Sequence, residues 1–266
     1  MNNTEYHAHP AVSKSHLDQV ARSPLHYWSR YVAEDRVVPD PAPAMMLGTA
    51  LHARVLEPEL FAAEYAQAPA VDRRTKAGKD AWAEAEAEGK TLLSAADWAQ
   101  IDGMAAAIES HRGASKLLGE PGSLAEASMF WTDPITGTEC KCRPDLLCDS
   151  GWVVDLKTTD DASPASFAKS AWNFRYHVQA SWYLDGVREA YRMTAKGFVF
   201  IAVEKRPPYA VAIYAADAEM IAAGWREARR CLDLIAECRA TGKWPGYGDT
   251  VQMLSLPKWA KDRSDV

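Results

Sequence analysis

Two short tracts in the middle of the chain carry residues that could perform chemistry. Arg143-Pro144-Asp145 is followed, after nine residues, by Asp155-Leu156-Lys157. A hairpin with its turn near Ser150 would bring the two aspartates together at one end of neighbouring strands. Close carboxylates repel each other unless a cation lies between them, and hard oxygen ligands suit Mg²⁺ or Mn²⁺. Asp155 and Lys157 are two residues apart, so on a strand they face the same side, and the lysine could contact a phosphate or a metal-bound water.

A simpler interpretation is that Asp145 caps a turn and that Asp155 forms a half-exposed ion pair with Lys157. Val153 and Val154, which precede the second tract, are typical of a buried strand. A charge at Asp155 would be costly there without a purpose. The two tracts together therefore favour the functional interpretation.

The elements before these tracts are predicted to be helical. A serine followed by proline, Ser23-Pro24, predicts a helix start, and Leu47, Leu51 and Val55 recur at helical spacing. Prolines at 39, 41 and 43 predict an extended connector between these helices. Residues 69–90 read as a basic cluster followed by an Ala/Glu helix, and another helix is predicted at about 94–110.

After residue 124 the pattern changes to strands. Three antiparallel strands are predicted over about 125–159, then a helix from Ser163-Pro164 to about Val187. A strand pair and a closing helix at 217–241 follow. This order predicts an α/β fold with a mixed central sheet flanked by helices. We expect one domain over 1–266, made of a mainly helical part at 1–115, a core at 124–216 and the closing helix.

Composition narrows the class of protein. The chain has 266 residues and a formal net charge of −6, so a basic coat for nucleic acid is excluded, although a local basic channel is not. Its five cysteines form no CxxC pair, and neither a secretory signal nor a membrane-spanning stretch is evident. We therefore expect a cytoplasmic protein with reduced thiols, no zinc and no membrane partner. The sequence contains no Walker-type GxxxxGK[ST] motif, so nothing in it indicates the use of ATP.

Several motifs together resemble a known family. The PD-x(9)-DLK spacing is similar to the split signature of the PD-(D/E)XK nuclease superfamily, and further tracts resemble RecE-type exonucleases of phage recombination systems. These tracts are the N-terminal opening at 13–28, GTALH at 48–52, VDRRTKAGK at 71–79 and the QxxxY motif from Gln179 to Tyr183. The resemblance implies a restriction-endonuclease-like core with an N-terminal helical elaboration.

The resemblance also implies a role for each matching residue. Asp145, Asp155, His52 and the backbone carbonyl of Leu156 would hold divalent metal, two Mg²⁺ ions that Mn²⁺ could replace. Lys157 would position or activate the attacking water and stabilise the transition state. Gln179 and Tyr183 would steady the lysine and the DNA backbone. His52 taken alone could equally be a core histidine, and Glu126 could lie near the metals or face solvent.

Basic residues are candidates for contacts with DNA. A phosphate-binding groove could be lined by Arg73, Arg74, Lys76, Lys79, Lys141 and Arg143. The alternative is a solvated helix start whose charges balance Glu84, Glu86 and Glu88. A pocket for a 5′-terminal phosphate could use Arg22, Ser23 and Arg30.

The implied activity is Mg²⁺-dependent 5′ to 3′ digestion of linear double-stranded DNA, which leaves 3′ single-stranded tails. The implied partners are DNA ends, a single-strand annealing recombinase and further copies of the chain in a ring, a tetramer or a trimer, in a bacterial or phage-infected cell. Two alternatives remain at this point. One is a structure-specific or 3′-directed nuclease on the same core, and the other is a non-catalytic DNA-binding scaffold.

Overall fold

The fold was analysed in a computed structural model, which describes residues 1, 3–36 and 43–256. Pro39 and Pro41 of the predicted connector lie outside these residues. The prediction is wrong at Pro43, which is the first residue of a helix, a position that tolerates proline because its missing N–H has no partner there. The helices are α1 (Asn3–Ala8), α2 (Lys14–Arg22), α3 (Pro24–Tyr31), α4 (Pro43–Leu56), α5 (Pro58–Glu64), α6 (Lys76–Ala87), α7 (Ala95–Ser110), α8 (Arg112–Leu118), α9 (Pro164–Asn173), α10 (Tyr176–Tyr191) and α11 (Ala218–Thr241).

The strands are short except for two in the centre of the main sheet. They are β1 (Tyr65–Gln67), β2 (Thr91–Leu93), β3 (Leu124–Ala125), β4 (Met129–Thr132), β5 (Glu139–Cys142), β6 (Leu146–Leu147), β7 (Trp152–Thr159), β8 (Gly197–Glu204) and β9 (Val211–Ala215). The main sheet has the order β3-β6-β7-β8-β9, and its β7–β8 pair is parallel while the other pairs are antiparallel. The predicted α/β fold with a mixed, helix-flanked sheet is confirmed.

Alternation along β8 divides the hydrophobic core into two layers. Phe198, Phe200 and Ala202 pack on one face with apolar residues of α2, α10 and α11. Val199, Ile201 and Val203 pack on the other face with α4 and α7. A central strand covered on both faces is apolar at almost every position, which explains the continuous hydrophobic run in its sequence.

The prediction of three consecutive antiparallel strands is only partly correct. β4 and β5 pair with each other as a separate two-stranded hairpin, whereas β3 pairs with β6 and β6 with β7. The chain leaves the main sheet after Ala125, where Glu126 has a left-handed backbone (φ 47°), and re-enters it after Pro144. Proline cannot donate to a strand ladder, so the ladder is interrupted at this position.

The single helix predicted from Ser163 to about Val187 is two helices. α9 ends at Asn173, and Arg175 adopts a left-handed conformation (φ 56°) before α10 begins. The Arg175 side chain pairs with Asp18 of α2 at 3.0 Å and with Glu227 of α11 at 2.8 Å. These two ion pairs hold the break in place, and they depend on partners that are distant in sequence.

Among the described helices, none has a stretch that is both long and apolar enough to cross a lipid bilayer. The five cysteines are buried thiols.

The close approach of α10 and α11 makes a glycine substitution a test of this packing. A Cβ added at Gly224 of α11 would lie 1.9 Å from the His177 carbonyl oxygen of α10. We expect Gly224→Ala to lower the free energy of unfolding by about 1–3 kcal/mol or more, measured by urea denaturation. Gly48→Ala is the matched control, because a Cβ at this α4 glycine meets no atom within 4 Å. That change should raise stability by roughly 0.5–1 kcal/mol. Equal effects of the two substitutions would contradict the described packing.

Candidate functional site

The site lies where the short strand β6 ends beside the longer β7. The last pair before the predicted motif is Leu146 with Val154, so continuing the register by one residue sets Asp145 beside Asp155. On the other side, Ala125 pairs with Leu146, and the Glu126 N–H donates to the Asp145 carbonyl oxygen at 3.0 Å. Three acidic residues therefore stand in one row across three adjacent strands.

The backbone of Leu156 is accessible from the β6 side because the β6–β7 ladder has ended there. Its N–H donates to Asp145 Oδ2 at 2.6 Å. Its carbonyl oxygen accepts from Nε2 of His52, on α4, at 2.9 Å. The other ring nitrogen of His52 lies 3.3 Å from Asp145 Oδ2. Both nitrogens thus face oxygen acceptors, which suits an imidazolium.

The carboxylate of Asp155 is fully buried between two side chains. Gln179 of α10 donates through Nε2 to Asp155 Oδ1 at 2.6 Å. The Lys157 ammonium forms an ion pair with Oδ2, which otherwise receives no aligned hydrogen bond. Lys157 Nζ also lies 4.9 Å from the centre of the Tyr176 ring. The prediction that Asp155 and Lys157 share one face of the strand is correct, and the surface ion pair is excluded because Asp155 is 0% exposed.

Crowding of carboxylates shifts the proton affinities in this site. Burial, reinforced by Asp145, raises the pKa of Glu126 to about 8. Burial likewise raises the pKa of Asp155 to about 6, although Lys157 opposes the shift. Burial would also raise the pKa of Asp145, but the neighbouring His52 and Lys157 hold it below its usual value.

The two cationic side chains respond in the opposite sense. Burial alone would lower the pKa of His52, but the Asp145 carboxylate raises it to about 9. Burial would lower the pKa of Lys157 as well, and Asp155 and Asp145 raise it. Protons on His52 and Lys157 thus supply the positive charge that this row of acids requires.

The same residues fit a divalent cation. One ligand atom from each of His52, Glu126 and Asp145 can be chosen so that all lie within 4.8 Å of one another. The carbonyl oxygen of Leu156 faces these three residues. Asp155 lies beside them, and its Oδ2 atom lacks an aligned hydrogen bond. Carboxylates, a carbonyl and one imidazole form a donor set suited to Mg²⁺ or Mn²⁺. Of the two interpretations of Glu126, the geometry favours the one near the metal, and its left-handed backbone marks a strained position of the kind found at functional sites.

The QxxxY residues take partly different positions from those predicted. Gln179 holds Asp155 rather than the lysine. Tyr183 is half-buried, with its ring 6.2 Å from that of Phe198, and burial raises its pKa well above the usual value. The aromatic residue that contacts Lys157 is Tyr176, which sequence reasoning missed. The sequence offered little signal for it, because the predicted continuous helix hid the start of α10.

Two residues predicted to bind DNA instead contact the N-terminal segment of the protein. Lys141 is buried, and its ammonium donates to the carbonyl oxygens of Tyr6 and His9, so the prediction that it lines a DNA groove is wrong. Arg143 is half-buried, donates to Ser128 and to the Met1 carbonyl, and lies over the Tyr6 ring. The reason is that the N-terminal segment covers this strand, which the local pattern does not reveal.

The other predicted basic residues are on the surface. Arg73, Arg74, Lys76 and Lys79 are exposed at the start of α6. Arg73 pairs with Glu86 and Arg74 with Asp72, which agrees with the charge-balancing alternative for these two.

In the predicted phosphate pocket, Ser23 is buried and caps α3: its hydroxyl oxygen accepts from the His26 N–H and lies 2.6 Å from His26 Nδ1, so the hydroxyl is engaged within the helix cap. Arg22 contacts the Tyr247 hydroxyl at 3.4 Å, and Arg30 lies over the Tyr31 ring.

Comparison with known proteins agrees with this geometry. A family model described as a PDDEXK-like domain of unknown function (DUF3799) matches residues 13–257. Among solved structures, a candidate exonuclease from Eubacterium rectale is 12% identical with a TM-score of 0.65, and the match covers 100% of this chain and 99% of that one. An alkaline exonuclease from Laribacter hongkongensis is 16% identical, with 73% and 96% covered, at a TM-score of 0.31. The likeness to the first of these structures concerns the fold alone. No curated protein matches the chain in sequence.

Proton release should accompany cation binding at this site. Near pH 7, His52 (pKa about 9) and Glu126 (pKa about 8) carry protons that a bound cation must displace. We expect calorimetric titration with Mn²⁺, in buffers of different ionisation enthalpy, to show net proton release and weaker binding as the pH falls from 8 toward 6. Glu126→Gln should reduce the release, while Asp149→Asn, on an exposed turn, should not. Binding without proton exchange would contradict the assigned protonation states.

Proposed function

The chain belongs to the family of PDDEXK-like domains, and from that premise we propose that it is a Mg²⁺-dependent nuclease. We further propose that it degrades linear double-stranded DNA in the 5′ to 3′ direction and leaves 3′ single-stranded tails. The observation that supports the chemistry is the convergence of two buried aspartates, Asp145 and Asp155, with the partly buried Lys157 and His52 at the β6–β7 edge. The polarity rests on the resemblance of the sequence motifs to RecE-type exonucleases.

Each residue has a defined task in this proposal. Asp145, Asp155, Glu126, His52 and the Leu156 carbonyl would hold the cation, which supplies charge neutralisation and lowers the pKa of bound water. Gln179 fixes the Asp155 carboxylate through the 2.6 Å hydrogen bond. Lys157 lies on the same strand face as Asp155, where its ammonium can orient water or stabilise negative charge on a phosphate. The hydrolysis needs no nucleophilic side chain from the protein.

The proposal extends to partners and assembly. Several copies would form a ring around the duplex, a tetramer or a trimer, and the 3′ tails would pass to a single-strand annealing recombinase. A net charge of −6 fits an acidic exterior around a basic channel, because an acidic exterior discourages non-specific DNA binding. Mass determination in solution and co-purification with an annealing protein test these two points separately.

The activity is tested with linear duplexes labelled at the 5′ or the 3′ end and a closed circle, each with Mg²⁺. Wild type should release the 5′ label early and leave the circle intact. Lys157→Ala should lower kcat by roughly 10²–10³-fold, because it removes one positioned charge. Lys116→Ala, an exposed lysine on α8, is the matched control and should retain activity.

Other results would lead to different conclusions. Cleavage of the closed circle would agree with metal-dependent hydrolysis but refute the proposal that the enzyme is an exonuclease. Early release of the 3′ label would show that digestion proceeds in the opposite direction. No cleavage with Mg²⁺ or Mn²⁺ would support the scaffold alternative.

The role of α6 in DNA binding can be separated from catalysis. Lys76 and Lys79 are exposed, unlike the buried Lys141. Replacing both with alanine should weaken duplex binding about equally for all sequences and reduce the slope of log affinity against log salt by about 2. An unchanged slope, measured by fluorescence anisotropy at several salt concentrations, would show that these charges are merely solvated.

A further inference from the structure

Two exposed aromatic rings lie at the C-terminal end of α9, just before the break at Arg175 that leads into α10. Trp172 is 65% exposed and Phe174 is 61% exposed, although both are large apolar side chains. Single exposed apolar residues are common on protein surfaces, but two such rings two positions apart in the chain, one of them on the Tyr176 ring beside Lys157, call for a physical explanation.

Each exposed ring lies against an inner ring. Trp172 stacks on the buried His177, with centroids 5.1 Å apart and planes 11° from parallel. Phe174 stacks on Tyr176, with centroids 5.7 Å apart and planes at 25°. The exposed fractions leave much of each ring open to solvent, so another flat group could stack on it.

The backbone that carries these rings is held from both sides. Lys14 of α2 donates from Nζ to the Phe174 carbonyl oxygen at 2.8 Å. Arg175, which lies in the sequence between the outer and the inner ring of each pair, is fixed by its ion pairs with Asp18 and Glu227. A surface ordered in this way loses little conformational freedom when a ligand binds.

Phe174 is linked to Lys157 through the Tyr176 ring. Lys157 Nζ lies 4.9 Å from the centre of the Tyr176 ring, and Phe174 stacks on that same ring. Phe174 is therefore separated from Lys157 by a single aromatic ring. A nucleotide whose phosphate lies near Lys157 could place its base on the exposed aromatics, and bases stack on such rings with little regard to sequence.

We propose that Trp172 and Phe174 form a stacking platform for unpaired bases of the DNA strand that enters or leaves the site. The inference rests on the proposed nuclease function and adds to it a preference for single-stranded or frayed DNA next to the scissile phosphate. In this arrangement Lys157 lies near the phosphate of a nucleotide, and the aromatic rings make the contact with its base.

The test compares two single-stranded ligands of equal length and charge, a thymidine oligonucleotide and the same backbone without bases. Binding to the full chain is measured by anisotropy without divalent cation. Wild type should bind the thymidine strand roughly tenfold more tightly than the abasic strand. Phe174→Leu and Trp172→Leu should each lose most of this ratio, whereas Phe174→Tyr, which keeps the ring, should retain it.

Controls separate stacking from a general loss of structure. Trp225→Leu removes another exposed aromatic, on α11, and should leave the ratio unchanged. Affinity for the abasic strand should be the same in wild type and in every variant. If the leucine variants weaken both ligands equally, or if wild type does not distinguish them, the platform is refuted.

Cleavage of linear duplex with Mg²⁺ is measured in parallel, so that the two proposals can fail separately. Base-dependent binding without any cleavage would refute the nuclease and keep the stacking surface. Cleavage without base-dependent binding would refute the platform alone.

Discussion

Electrostatic repulsion among buried acids is the constraint on which the site depends. Glu126, Asp145 and Asp155 stand side by side where β3 and β6 end beside the middle of β7, with both aspartates buried and Glu126 half-buried. Such a row is stabilised by protons on its carboxyl groups and by positive charge among its members. Protonated His52 and Lys157 supply it in the structure described, and a divalent cation would supply it more directly. The residues of the site are therefore suited to a cation before any substrate is considered.

The fold meets this constraint by drawing on both layers of the core. α4 places His52 on one side of the sheet, behind the buried Leu51, and α10 places Gln179 on the other. Early termination of β6 releases the Leu156 backbone to serve the site instead of the ladder. Proteins can share these features at low sequence identity. The sheet needs only apolar residues in alternation, which many sequences provide, and the site needs only a few fixed side chains. The fold shared with a protein only 12% identical illustrates this.

Many basic side chains support the fold rather than face a ligand. Lys141 holds the N-terminal segment, Arg175 joins α2 to α11, and Arg229 pairs with Asp133 and Asp233. A count of lysines and arginines in the sequence therefore overstates the charge available to DNA. This helps to explain how an acidic chain could bind DNA through a confined surface near the site and not through its whole exterior.

The sequence by itself determined the order of most elements and the residues of the motif. The alternation of apolar and polar residues predicts the strands, and helical spacing with capping residues predicts α7 and α11. The spacing of Asp145, Asp155 and Lys157 identifies the site. All of these signals are local in the sequence. Tertiary structure alone decided the split of the first strands into two sheets, the break at Arg175, the burial of Lys141 and the contact between Tyr176 and Lys157. Each of these depends on partners far away in the chain, such as Asp18, Glu227 and the Tyr6 carbonyl. Short-range periodicity contains no information about such contacts, because they arise only when separate elements pack together.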